Sequence, residues 1–254
     1  MKVTLLGTGT SQGVPVIGCD CEVCTSLDFR DKRFRASIHI EVEGLSLVVD
    51  TGPDFRMQML RAGIKKLDAV LMTHEHKDHT AGLDDIRPFN FLQKKDMPVF
   101  GKSNVLEQIK REFAYIFSGN RYPGIPQVEA VEIDDSGFVI EGVQITPIPV
   151  MHYKLPVLGF RIKDFTYITD AKYISEESLA LIEGTDTLIL NALQKEAHIS
   201  HFTLAEAVEM AKKIGARKTY FTHISHRLGI HSKVESELPE GIALGYDNQV
   251  IILP

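Results

Sequence analysis

The segment Thr73-His74-Glu75-His76-Lys77-Asp78-His79-Thr80 sets three histidines and an aspartate within six residues, directly behind the apolar run Leu67 to Met72. It reads as a metal site. In extended chain the side chains at i and i+2 share a face, so His74 and His76 at the end of a strand can hold one ion together. Asp78 and His79 lie where Thr80 to Ile86 can begin a helix, and they turn toward a second ion. The alternative is a polar loop whose histidines fall together by chance. An ordered HxHxDH set behind a buried-looking strand favours the metal site.

This set resembles the signature of the metallo-β-lactamase superfamily, whose hydrolases use it to hold a two-metal centre. The resemblance implies an αββα sandwich, an α/β fold of four layers, with more ligands arriving at other strand ends. A chain of 254 residues with 44% hydrophobic content can bury one large core, and no shift in composition marks a boundary, so one domain over 1–254 is expected. The net charge of −6 gives no general attraction to phosphate backbones or anionic membranes. Long nucleic acid is therefore disfavoured as a partner and a membrane is not expected; a homodimer is compatible with the composition. Met1 to Gly7 reads as a short strand without the apolar stretch of a signal peptide, and the three cysteines suit a reducing compartment, so the expected location is cytoplasmic.

Taken in order, the chain begins with a strand over Lys2 to Leu6 and a glycine-rich loop, Gly7 to Gly13, that lacks the Lys and Ser/Thr ending of a phosphate loop. Cys19, Cys21 and Cys24 form a CxCxxC cluster whose thiolates can supply three legs of a tetrahedral zinc site, the alternative being buried free thiols. Two strands, Ala36 to Val42 and Leu45 to Val49, lead to Asp50. In the superfamily an aspartate at this point supports the metal loop from behind, a role the resemblance extends to Asp50; otherwise it caps the helix predicted over Phe55 to Ala62. A helix over Val105 to Phe117 precedes a loop, Ser118 to Pro126, in which Arg121 and Tyr122 either line the cleft mouth or stay solvated.

Strands over Val128 to Ile133, Phe138 to Ile140 and Val143 to Pro149 follow, and the last runs into His152. A third ligand for the first metal is needed just after a strand in this region, and His152 meets that need. A hairpin, Val157 to Ile162 and Phe165 to Ile168, ends at Asp170, whose carboxylate can bridge two cations; Ser175 is the better cap for the helix that follows. After a strand at Asp186 to Leu190, His201 stands just before a helix starting near Thr203. The strand Arg217 to Phe221 delivers His223 as the remaining ligand of the second metal. His226 is the expected fourth ligand of the cysteine cluster. A helix over His231 to Leu238 and strands near Ile242 to Leu244 and Val250 to Leu253 close the chain, and His39, His198 and His231 are read as packing or surface residues.

Collected, the first metal takes His74, His76 and His152, the second takes Asp78, His79 and His223, and Asp170 bridges them. This donor set suits zinc or manganese. Two cations sharing a hydroxide offer a nucleophile at neutral pH and a clamp for phosphodiester oxygens. Asp78 and His201 are the expected catalytic residues, His201 as general acid for the departing alkoxide or as a phosphate ligand.

Gly7-Thr-Gly with Gln12-Gly-Val-Pro15, the CxCxxC cluster, Leu71-Met-Thr-His-Glu-His-Lys-Asp-His79 and Thr222-His-Ile-Ser-His226 together resemble the phosphoribosyl 1,2-cyclic phosphate phosphodiesterases of carbon–phosphorus lyase pathways. That resemblance implies a structural zinc held by Cys19, Cys21, Cys24 and His226, a catalytic role for His201, and small cyclic phosphodiesters of sugar phosphates or nucleotides as substrates. Two other readings remain in play. His201-Phe-Thr-Leu-Ala-Glu-Ala207 resembles a motif of the tRNA 3′-end endonucleases, and a metal-binding scaffold or sensor without catalysis would also use such ligands.

Overall fold

The computed structural model describes residues 1–119 and 124–253. Strands β1 (Lys2–Gly7), β2 (Ser37–Val42), β3 (Leu45–Val49), β4 (Ala69–Leu71), β5 (Met97–Gly101) and β6 (Val128–Glu132) lie side by side. Strands β7 (Phe138–Ile140), β8 (Val143–His152), β9 (Leu155–Ile162), β10 (Phe165–Ile168), β11 (Thr187–Asn191), β12 (Lys218–Thr222) and β13 (Ile242–Leu244) form a second sheet, and β14 (Val250–Ile252) returns to the outer edge of β1. Helices α1 (Glu22–Thr25), α2 (Phe55–Ala62), α3 (Lys77–Thr80), α4 (Arg87–Gln93), α5 (Ser103–Glu112), α6 (Glu176–Leu181), α7 (Leu204–Ile214) and α8 (His231–Glu235) complete the described elements.

Four layers follow from the two-residue alternation of the strands. Leu47 and Val49 of β3 point inward and meet Phe160, Tyr167 and Ile189 of the other sheet, all fully or nearly fully buried. Val48, between them, points outward onto Phe55 and Met59 of α2. The second sheet repeats the arrangement: Ile189 faces inward, while Leu188 and Leu190 pack against Ala207 and Ala211 of α7. The αββα sandwich expected from the resemblance is therefore the observed fold.

Local signals fix the helices that brace these layers. Thr203 and Glu206 form a reciprocal capping box that starts α7, and Gly215 in the left-handed region ends it. Ser175 caps α6, as expected from sequence. Asp54, not Asp50, precedes α2. Several expectations change, among them the helix read over His231 to Leu238, which ends at Glu235. The strand read as Leu67 to Met72 is regular only over Ala69–Leu71, so His74 and His76 lie beyond its end, with His76 at the start of α3. The helix expected from Thr80 is replaced by α3 and a 3-10 turn at Leu83–Ile86. The helix read to Phe117 stops at Glu112, where Phe113 leaves helical geometry. Helix α4 and strand β5 carry no counterpart in the sequence reading. Arg121 and Tyr122 lie outside the described residues.

Strands β3 to β6 run parallel, as do β10 to β13, so their C-terminal ends converge on one edge of the sandwich. Ligands in open parallel sheets gather at such ends.

Candidate metal centre

Asp50 directly follows β3, Thr73 and His74 follow β4, Asp170 follows β10 and His223 follows β12, while His152 ends β8. Asp50, Asp170 and His223 hold φ of 65°, 59° and 56°, a left-handed conformation that side chains other than glycine rarely adopt. Such strain persists where the surroundings impose it, commonly at functional sites.

The α3 segment is locked onto the β3 end by backbone bonds, Thr51 N–H to His79 O at 2.8 Å and Gly82 N–H to Thr51 O at 2.8 Å. Two glycines permit this approach. A Cβ on Gly52 would stand 2.2 Å from Asp78 O, and one on Gly82 would stand 2.1 Å from Gly52 O. Sequence reasoning missed both, since their requirement arises only where two chain segments cross.

Asp50 is fully buried and accepts three hydrogen bonds: Thr73 N–H at 2.9 Å, Thr73 Oγ1–H at 2.8 Å and His79 Nδ1–H at 2.6 Å. The Thr73 hydroxyl proton is thus committed to Asp50, so His74 Nδ1, 2.9 Å from Thr73 Oγ1, must be the donor of that contact. His152 Nδ1 donates to Ser200 O at 2.9 Å. In all three rings the Nδ1 proton is engaged and Nε2 is turned to the site. A second hydrogen bond that fixes the ring and frees the other nitrogen is the usual preparation of a metal-binding histidine.

The freed atoms converge. His79 Nε2 stands 3.2 Å from Asp78 Oδ2 and 3.3 Å from Asp170 Oδ2, and His223 Nε2 stands 3.1 Å from Asp170 Oδ1 and 3.8 Å from Asp78 Oδ2. His74 Nε2 and His76 Nδ1 are 3.0 Å apart, and the His152 ring centre lies 5.2 Å from that of His76. Ligand atoms of His74, His79 and Asp170 lie within 4.8 Å of one another, as do those of Asp78, His79 and His223, and those of His152, Asp170 and His201. Asp170 therefore joins both sides of the cluster. His201 Nδ1 is 3.8 Å from Asp170 Oδ1, and the His198 ring, read from sequence as a surface group, is 5.1 Å from that of His201.

Buried His79 Nε2, His201 Nδ1 and His223 Nε2 make no well-aligned hydrogen bond, although His79 and His223 stand 3.1–3.3 Å from carboxylate oxygens. Buried polar atoms left without an aligned partner are costly, so three around one carboxylate mark a site built for a further group. The donor set, five imidazoles and two carboxylates, fits a pair of divalent cations. Burial pushes the His79 imidazole toward the neutral form, but Asp170, Asp50 and Asp78 outweigh it and raise its pKa. Burial likewise opposes ionisation of Asp170, yet His223 and His79 hold it well below the usual carboxylate range. Burial, reinforced by His223, pushes the His201 pKa down to about 2.

A second cluster stands beside the first. Cys19, Cys21 and Cys24 place Sγ atoms 3.3, 3.4 and 3.5 Å from His226 Nδ1. A tetrahedral zinc with Zn–S of about 2.3 Å and Zn–N of about 2.0 Å requires S···N edges of roughly 3.5 Å, so the four donors fit that ion. The Cys24 N–H lowers the Cys21 thiol pKa to about 6, whereas burial raises that of Cys24 to about 11. His226 lies three residues after His223, and Ile224 between them is pinned by bonds to Thr8 O and from Thr10 N–H.

Residues 46–224 match the family model described as a beta-lactamase superfamily domain. A crystal structure described as a new diphosphatase from the PhnP family is 39% identical, with a TM-score of 0.93 over 100% of this chain and 98% of that one. An octanoyltransferase of Porphyromonas gingivalis is 39% identical over all of this chain, which spans 52%, about half, of that relative's length. Ribonuclease Z of a Mycobacterium species is 25% identical over 88% of this chain and 84% of its own.

Proposed function

The chain belongs to the metallo-β-lactamase superfamily of metal-dependent hydrolases, and on that premise we propose that it cleaves small cyclic phosphodiesters at a centre of two divalent cations, zinc or manganese. His74, His76 and His152 would hold one cation, Asp78, His79 and His223 the other, with Asp170 shared. When bound, such a pair supplies a nucleophile at neutral pH and offsets charge on the phosphoryl oxygens. The observation that carries this reading is the set of three Nδ1 anchors, Thr73, Asp50 and Ser200, which leave the Nε2 atoms of His74, His79 and His152 aimed at one space.

The chain's own groups account for the rest of the reaction. Asp78 accepts a hydrogen bond from the attacking water. As the new P–O bond forms, the water gives one proton to Asp78, one ester P–O bond breaks, and the departing oxygen takes a proton from the protonated His201 ring. An anionic phosphate beside the ring raises its proton affinity, opposing the burial that lowers it. The cysteine cluster with His226 would hold a structural zinc, and its free thiols suit a reducing compartment such as the cytoplasm.

The test is a panel of ribose 1,2-cyclic phosphate, 2′,3′-cyclic nucleotides, nucleoside diphosphate esters and precursor tRNA, each with zinc or manganese. Cleavage of the cyclic esters is expected, falling on the order of 10²–10⁴-fold in kcat for His201→Ala with both cations retained. The diphosphatase relative favours a second reading, in which a diphosphate linkage is cut, and turnover of the diphosphates alone would replace the first. Cleavage of precursor tRNA alone would instead align the chain with its ribonuclease Z relatives. No turnover with either metal would leave a scaffold.

A further inference from the structure

The three segments that carry His152, Asp170 and His201 are stitched into one wall. Met151 N–H donates to Tyr173 O at 2.9 Å, Lys172 N–H to Met151 O at 2.8 Å and Phe202 N–H to Ala171 O at 3.0 Å, in addition to the His152 bond to Ser200 O. Each segment also sets a large apolar side chain in solvent close to its site residue. Tyr153, next to His152, is 51% exposed; Tyr173, three residues after Asp170, is 59% exposed; Ile199, two before His201, is 66% exposed.

Tyr153 occupies an expensive position. His152 pairs with Leu155, so Tyr153 and Lys154 form a two-residue hairpin tip, and Tyr153 has a φ of 56°. Glycine holds the first position of such a tip without a Cβ penalty, and a bulky side chain there is an outlier. An exposed ring gains nothing from core packing in return. A strained, exposed ring directly beside His152 points to a contact made with a ligand, and Lys154 adds a cation, its Nζ 5.3 Å from the ring centre.

We propose that Tyr153 and Tyr173, flanked by Ile199, form a stacking platform for the base of the substrate, so that the ester cleaved is nucleoside-bearing and not a bare sugar phosphate. This rests on the reading of the neighbouring centre as a phosphodiester site. Aromatic faces accept any base, so the platform selects for the presence of a base over its identity.

The chain contains no tryptophan, so Tyr153→Trp introduces a single reporter. Titration of this variant with AMP is expected to give saturable quenching, with ribose 5-phosphate at least about tenfold weaker, as loss of one stacking contact dictates. Equal affinity for the two overturns the platform. In turnover, the ratio of kcat/KM for adenosine 2′,3′-cyclic phosphate over ribose 2,3-cyclic phosphate should fall about tenfold in Tyr153→Gly and in Tyr173→Ser. Tyr153→Gly should also unfold at a higher urea concentration than the parent, because the strained residue is relieved. An unchanged ratio in both variants refutes the proposal. If neither ester is cleaved by the parent while the reporter still separates AMP from ribose 5-phosphate, the phosphodiesterase reading fails and the platform stands.

Discussion

Replacing Asp50 with asparagine tests the logic of the centre without removing a proposed ligand. The carboxylate is fully buried and receives Thr73 N–H, Thr73 Oγ1–H and His79 Nδ1–H at 2.6–2.9 Å. In Asp50→Asn the amide oxygen can keep the Thr73 N–H, but the amide NH2 then faces the Thr73 hydroxyl and the His79 ring. Two donors meet, and His79 can resolve the conflict only by moving its proton to Nε2. One charge-assisted buried hydrogen bond is lost, which predicts a destabilisation of about 2–3 kcal/mol in urea unfolding measured with chelator present. The proton on Nε2 occupies the lone pair that faces Asp78 and Asp170, so cation affinity at that side should fall about 10- to 100-fold, the usual effect of losing such a support. Competition with a chromophoric chelator reads the affinity, and nitrogen-15 chemical shifts of the imidazoles read the tautomer. A variant that binds both cations with parental affinity, His79 still protonated on Nδ1, would refute the tautomer argument.

Three further expectations follow from the same structure. Cys21→Ser should lower zinc content by one ion per chain and lower the thermal midpoint; a variant with parental zinc and stability would remove the cluster from consideration as a zinc site. Gly52→Ala should be destabilising and should displace α3, because its Cβ would meet Asp78 O at 2.2 Å; unchanged urea midpoint and cation affinity would show that the crossing relaxes freely. His39 and His231 are both pushed down to about 4, chiefly by burial. Their folded pKa values lie below the unfolded value near 6.5, so the unfolded state takes up protons first as pH falls, and stability drops between pH 6.5 and 4. Each histidine contributes up to about 3 kcal/mol of that loss. His39→Gln should flatten the urea midpoint against pH over this window, and an unaltered slope would exclude His39 as a source.

Most of the residues proposed as ligands could be picked out in the sequence because they stand where an apolar run stops, and in the parallel parts of the two sheets those stops lie along one edge. What was not legible arises from contacts between segments distant in the chain. The Ser200 carbonyl that orients His152 has no sequence signal, since any residue offers one. His198 is the exception: it lies only three residues before His201, and the turn of that segment sets their rings 5.1 Å apart. Strand β5 was hidden by Pro98, which ordinarily argues against a central strand, yet β5 pairs with β4 and β6 on its two sides. Helix α4 begins with Pro88 near its N-terminus, where the missing N–H is harmless, but its seven residues give too little periodicity to identify it from sequence.

The three-residue step from His223 to His226 has a thermodynamic consequence. One short segment offers a donor to each cluster, so any shift that an ion at one would impose on it would alter the donor offered to the other. Affinities linked in this way are reciprocal: whatever factor zinc at the cysteines adds to cation binding at Asp170, the cations must return to zinc. The two clusters should therefore fill and empty as a cooperative unit, and chelator titrations in which the cysteine-bound zinc leaves at the same free-chelator level with and without cations at the histidine centre would show the segment to be a passive tether.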